Sequence, residues 1–206
     1  MNGLFVTVAG IDGAGKSTVV NTIQTEYKQS IVSKEPSELW TGDAVYRSIT
    51  SDNTNPFTDF YLFMADRAHH IDNIIKPGLK DDMLVISDRF ADSTRAYQFN
   101  ALNNELPHGE EYTEQYIDDL MKHWNVQPDL TIYLDISVDT SIERCDGEDK
   151  YEDREFLEQV SQRYDYLQDK YSDRYVVVNG ERNKDQVKQD VIDIIREHDS
   201  FGSLSE

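Results

Sequence analysis

The sequence predicts an α/β fold built on a doubly wound, parallel five-stranded sheet. Three observations carry this prediction. Short apolar runs alternate with longer amphipathic stretches, the pattern of strand–helix–strand crossovers. A glycine-rich segment, residues 10–15, lies between the first apolar run and the first helical pattern. Two further apolar runs, 83–87 and 130–134, lead directly into aspartates, Asp88 and Asp135, as strands do when they end at a ligand-binding sheet edge.

Leu4-Phe5-Val6-Thr7-Val8-Ala9 has no basic region before it and no small-residue cleavage site after it, so it reads as a buried strand rather than a signal peptide. A helix is expected over 16–29, a strand over 30–33, and helices over 43–50 and 56–76. In the last of these, Phe60, Phe63, Met64, Arg67, Ala68, Ile71 and Ile75 recur at three- and four-residue steps and define one face. Most of that face reads as core packing. A strand at 83–87 precedes helices at 92–100 and 111–124. The strand at 130–134 precedes helices at 139–144 and 154–171. A last strand, 174–178, leads to a helix at 184–197. Weak ordering is expected at 100–111, at 146–152 and in the tail from residue 200. Repeats are absent, and 206 residues suit one compact domain (1–206) carrying a short lid near 145–153.

Charge narrows the partners. Asp and Glu total 40 against 20 Lys and Arg, a formal net charge of −20. Nucleic acid and anionic membranes both demand basic footprints, so neither is expected as a partner. No run approaches the roughly 20 apolar residues of a membrane span. The acidity is spread along the chain, which favours a halophilic surface adaptation over an acidic interaction module, because salt screens the self-repulsion. A phosphate site in such a chain must gather its cations locally. The single cysteine, Cys145, excludes an internal disulfide and lends no support to a thiolate metal site. A cytoplasmic location fits.

Gly10-Ile11-Asp12-Gly13-Ala14-Gly15-Lys16-Ser17, followed by Thr18, fits G-x-x-x-x-G-K-[ST] at every fixed position. Glycines let the backbone fold around an anion so that successive N–H groups point at a β-phosphate. Lys16 adds a charge shared between β- and γ-phosphates, Ser17 offers a hydroxyl to Mg²⁺, and the helix that follows presents its positive end. The expected ligand is ATP. A guanine-reading Asn-Lys-x-Asp fails at its last position, since Asn183-Lys184-Asp185 is followed by Gln186. Asp88 closes a buried strand, the usual place for a carboxylate that holds Mg²⁺, and Arg89 beside it suits phosphate chemistry. Asp135 ends a similar run, so pattern does not fix the metal carboxylate uniquely; Asp88 has the better claim because of the cation beside it, with a strand-end salt bridge as the alternative.

Phe63-Met64-Ala65-Asp66-Arg67, Asp88-Arg89-Phe90 and Ser93-Thr94-x-x-Tyr97-Gln98, together with Asp12 and Glu35-Pro36, resemble thymidylate kinase from about residue 5 to about residue 178. The stretch around Glu35-Pro36 and 40–48 looks most like halophilic archaeal members. The resemblance implies a P-loop nucleoside monophosphate kinase that phosphorylates dTMP with ATP and Mg²⁺, and a homodimer. It implies that Phe63 stacks on thymine, that Arg67, Thr94 and Gln98 read the base edge, and that Tyr97 packs against the 2′-carbon. Arg47 and Arg89 would clamp the monophosphate, and Asp12 would approach the 3′-hydroxyl. Glu35 and Asp88 would stand near Mg²⁺ and the acceptor phosphate, with Pro36 and Ser93 completing the dTMP site.

Two departures from the family pattern stand out. Members carry an arginine either in the phosphate loop or in the lid. Positions 11–14 here provide none, so Arg144, ahead of Lys150 and Arg154 around the lid, is the expected trans-phosphate cation. Lys34-Glu35-Pro36-Ser37-Glu38 stands where many members have Arg-Glu-Pro-Gly-Gly. His69 and His70, being adjacent, face different ways on a helix and receive no catalytic role. A deoxynucleoside kinase, with Glu35 as base, and a non-enzymatic ATP-binding protein are the competing classes.

Overall fold

The computed structural model describes residues 3–51, 54–145 and 153–198. Its five strands are β1 (Leu4–Ala9), β2 (Ile31–Lys34), β3 (Leu84–Asp88), β4 (Leu130–Asp135) and β5 (Tyr175–Asn179). They form one sheet in the order β2-β3-β1-β4-β5, and every pairing is parallel. The predicted strands agree with these to within one residue at each end. Around the sheet lie α1 (Lys16–Glu26), α2 (Trp40–Ile49), α3 (Pro56–His70), α4 (Lys76–Lys80), α5 (Ala91–Tyr97), α6 (Phe99–Glu105), α7 (Glu110–Met121), α8 (Val138–Arg144), α9 (Arg154–Lys170) and α10 (Lys184–Glu197).

Side chains of a strand alternate between faces, and a parallel sheet covered by helices on both sides is apolar throughout. β1 shows both effects. All six of its residues are buried. Leu4, Val6 and Val8 join the core formed with Val19 and Ile23 of α1, Val160 and Leu167 of α9, and Val191 and Ile195 of α10. Phe5, pointing the other way, joins Phe60 of α3, Leu79 of α4, Phe99 of α6 and Ile117 of α7. The doubly wound arrangement follows from this division. Carboxyl ends of β1, β2 and β3 gather on one edge, with Lys34 paired to Asp88 and Val8 to Asp88 in register.

Two expectations need correcting. The helix expected over 56–76 is interrupted by a π-helical turn at Ile71–Ile75 and then continues as α4 to Lys80. The wider turn leaves both Ile71 and Ile75 essentially fully buried. Residues 100–111, expected to be weakly ordered, instead contain α6 and the start of α7, because Phe99 and Leu102 reach the second core. The Asn-rich, helix-poor composition there conceals a tertiary preference. Most of the lid near 145–153 and the tail at 200–206 lie outside the described residues.

Candidate active site

A cleft of about 850 Å³ opens at the carboxyl edge of the sheet, between the segment at 10–17, the end of α2, α3, α5 and the end of α8. At its floor is the glycine-rich loop. Gly10 has φ 142°, and a Cβ there would stand 2.7 Å from Leu134 O. Gly13 has φ 75°, with Ser141 O only 3.0 Å from its would-be Cβ. Both positions exclude other residues on backbone and steric grounds together. Ser141 Oγ donates to Asp12 O at 2.6 Å, which ties α8 to the loop.

Lys16 points back into the loop, its Nζ donating to Ile11 O at 2.8 Å. Burial, with the Arg89 charge beside it, lowers its pKa from 10.5 to about 7. An arriving polyphosphate reverses this penalty. Ser17 Oγ donates to Asp88 Oδ2 at 3.0 Å. Asp88 Oδ1 is buried with no hydrogen-bond partner among the described residues. A hydroxyl beside a carboxylate with a spare oxygen suits Mg²⁺, which takes one or two protein oxygens and completes its shell with water and phosphate. Among the described residues no three His, Cys, Asp or Glu side chains converge as a metal site.

Arg89 has φ 68°, uncommon for a residue with a side chain. Its guanidinium reaches Gly10 O at 3.3 Å, Tyr97 Oη at 3.3 Å and Asp12 Oδ1, and it lies 4.8 Å from the centre of the Tyr97 ring. Tyr97 Oη in turn donates to Asp12 Oδ2 at 2.9 Å. Burial pushes the Asp12 carboxyl up, but Arg89 and Lys16, with the hydrogen bonds from Tyr97 and Arg89, outweigh it and hold the group below its usual range.

Further along the cleft, Glu35, Pro36, Phe63, Ser93, Thr94, Tyr97 and Gln98 line the wall. Phe63 is half-buried, leaving part of its ring toward the opening. Ser93 Oγ bonds Tyr164 Oη at 2.9 Å. Arg144 also lines the cleft, with Nη1 bonded to Gly13 O at 3.2 Å and to Gly180 O at 3.3 Å.

Two predicted contacts stand elsewhere. Arg67 is fully buried and does not line the cleft; it donates to Glu35 Oε2 through Nε (3.0 Å) and Nη2 (2.5 Å), and to Thr94 Oγ1 at 2.7 Å. A carboxylate buried as deeply as Glu35 needs such a partner. Burial alone would raise the Glu35 pKa; Arg67 and His70 bring it below the usual range. Arg47 is exposed on α2, outside the cleft wall, while Tyr46 and Ile49 of the same helix line it. Sequence reasoning missed Tyr46, Ile49, Ser141, Asp66 and His70. Asp66 is buried and accepts from Ser37 N at 2.7 Å, Ser37 Oγ at 2.5 Å and Thr41 Oγ1 at 2.7 Å, pinning the segment after Glu35 to α3. The signal for His70 was its three-residue spacing from Arg67, which puts both on one helix face.

The cleft therefore brings the glycine-rich loop, Lys16 and Ser17 into one space with Arg89 and the aromatic side chains Phe63 and Tyr97. Comparisons with known proteins agree with that chemistry. The family model described as "Thymidylate kinase" matches residues 8–191. A probable thymidylate kinase of Methanosarcina barkeri is 39% identical over 205 residues, covering 96% of this chain and 98% of the relative. One of Halorubrum lacusprofundi is 34% identical over 194 residues, covering 94% and 98%. A crystal structure of thymidylate kinase from Ehrlichia chaffeensis superposes with a TM-score of 0.72 at 25% identity, covering 93% of this chain and 98% of that one. With the phosphate loop, Asp88-Arg89 and the Phe63–Gln98 wall in one cleft, and with these matches along nearly its whole length, the chain belongs to the thymidylate kinase family.

Proposed function

We propose that the protein transfers the γ-phosphate of ATP to dTMP, giving dTDP and ADP, within a single P-loop kinase domain. The observation that carries this reading is that one cleft is lined by Lys16, Arg89 and Phe63 together. A dTMP phosphate oxygen attacks the γ-phosphorus, a P–O bond forms, and the bond to the β,γ-bridging oxygen breaks as ADP leaves. The acceptor is already anionic, so the protein needs no strong general base; positioning and charge neutralisation carry the catalysis. Loop N–H groups and Lys16 hold the donor phosphates, and Arg144 stands beside them as the further cation. Arg89 orients the acceptor phosphate. Phe63 offers its ring to the thymine, while Thr94 and Gln98 offer polar atoms to its edge and Tyr97 its ring to the sugar. Ser17 and Asp88 would hold Mg²⁺, which supplies charge neutralisation to the phosphates.

ADP release from ATP and Mg²⁺ tests the reading when dTMP, dUMP, dCMP, thymidine and no acceptor are compared. Turnover with dTMP far above the rest is expected; turnover with thymidine alone would reassign the protein to the nucleoside kinases. A lowered pKa, with both oxygens taken by Arg67 and His70, makes Glu35 a poor base for a neutral 5′-hydroxyl.

The net charge of −20 supports a halophilic enzyme, and the single cysteine fits a cytoplasmic one. Melting temperature and turnover are expected to rise together from dilute buffer into molar KCl. Equal performance in both would remove the halophilic reading. No helix among the described residues is long and apolar enough to cross a membrane. A homodimer fits the exposed Tyr61 of α3 and the exposed Tyr112 and Leu120 of α7; light scattering checks it.

A further inference from the structure

His70 takes no part in the mechanism above, yet it is fully buried at the end of α3, 35 residues from its polar partner. Its Nδ1 lies 3.2 Å from Glu35 Oε1. Glu35 Oε2 takes Nε and Nη2 of Arg67, and Nε also reaches Oε1 at 3.3 Å, so His70 is the second donor from α3 on Oε1. The ring is further set by an edge contact with Phe90, 6.5 Å between centroids, and Phe90 also lies 5.1 Å beneath the Arg67 guanidinium. Nε2 is buried without a hydrogen-bond partner among the described residues, which leaves the Glu35 contact as the polar tie on the ring. An ionised carboxylate only accepts, so the hydrogen between them belongs to Nδ1. Glu35 meanwhile lines the cleft, and its backbone N–H donates to Asp88 O at 3.0 Å. Whatever fixes the carboxylate therefore fixes one wall of the site beside Asp88.

We propose that His70 is a positioning residue which, by donating from Nδ1 to Glu35 Oε1 while Arg67 holds Oε2, locks the Glu35 carboxylate in the orientation that receives the acceptor nucleotide. The proposal rests on the dTMP kinase reading. Arg67 reaches Oε1 only through the Nε it shares with Oε2; His70 gives Oε1 a donor of its own and so fixes the plane of the carboxylate. A misplacement of about 1 Å at such a wall costs as much as ~100-fold in rate.

The discriminating pair is His70→Gln and His70→Asn. Asparagine places an amide donor where Nδ1 stood, whereas glutamine carries it to the place of Nε2, away from Glu35. H70Q is expected to raise KM for dTMP about tenfold or more while leaving KM for ATP within about twofold, and H70N to restore most of the loss. In the Glu35→Gln background, H70Q should add little, since the contact is already altered. A purely structural role would instead lower the active fraction and leave both KM values unmoved. Equal behaviour of H70Q and H70N, or additive effects of H70Q and E35Q, would overturn the proposal. Should H70Q fail to fold, ¹⁵N spectra of histidine-labelled wild-type protein decide, with H70N assigning the resonance: a hydrogen on Nδ1 supports the clamp, and a bare Nδ1 ends it. Wild-type protein that ignores dTMP would instead remove the functional reading, and the spectra would still decide the contact.

Discussion

Lys16→Met lowers kcat/KM by about 10²–10³-fold, the scale of removing one preorganised donor from a developing charge, and it makes the ATP-free protein more stable at neutral pH. Both effects arise from the same burial. Lys16 sits in the loop with its pKa brought down to about 7 by burial and by Arg89. Between pH 7 and the ordinary lysine value of 10.5 the unfolded chain binds the proton that the folded chain has lost. Stability therefore rises with pH across that window. Below pH 7 the lysine is charged in both states and the cost of burying it is fully present. Methionine, of similar length and uncharged, escapes the cost. The excess melting temperature of Lys16→Met over wild type should be greatest at or below pH 7 and should fade as pH approaches 10.5. Added ATP should close the gap by stabilising wild type alone. A variant that is less stable than wild type at pH 6–7 without ATP would contradict this account of the loop.

Arg89→Lys is expected to cost about 10²–10³-fold in kcat/KM for dTMP while ATP affinity changes little. The guanidinium spans Gly10 O, Asp12 and the Tyr97 hydroxyl at once. An ammonium is a single point and cannot bridge those partners while also meeting a phosphate with two parallel bonds. The backbone supports this view, since φ 68° is a conformation that side-chain-bearing residues hold at a cost of roughly 1–3 kcal/mol, and such strain gathers at functional sites. Steady-state kinetics with each substrate varied, beside ATP titration calorimetry, separate the two effects. A lysine variant with unchanged dTMP kinetics would move the acceptor phosphate away from Arg89.

Much of this arrangement could be read from local spacing. The loop at 10–17 is contiguous, so its glycines, Lys16 and Ser17 announce themselves. Asp88 and Arg89 do so as well, because a buried strand ends there. Phe63, Thr94, Tyr97 and Gln98 were found through resemblance, and the cleft brings them together. What escaped was long-range. Arg67 turns inward because Glu35, 32 positions away in sequence, needs a buried cation. His70 was set aside because adjacent residues on a helix face different ways, and spacing gave no sign of its partner Glu35, 35 positions away. Arg47 was placed on the right helix, yet Tyr46 and Ile49 are the residues that face the cleft, a matter of helix rotation that sequence leaves open. α6 escaped because its helix depends on Phe99 and Leu102 finding a core assembled from elsewhere in the chain.

The strand order has a consequence for how the chain is made. Of the five strands, β1 is synthesised first and lies in the middle of the sheet, flanked by β3 and β4. Its partners arrive late: Leu4 pairs with Leu84, and Val6 with Leu130. While a ribosome adds residues at about 5–20 per second, this apolar strand has both edges unpaired for several seconds. Parallel pairing across such sequence separations is slow and exposes the nascent chain to aggregation. The segment on which the phosphate loop hangs is thus the most vulnerable during birth, and chains arrested before β4 should be the ones that chaperones retain.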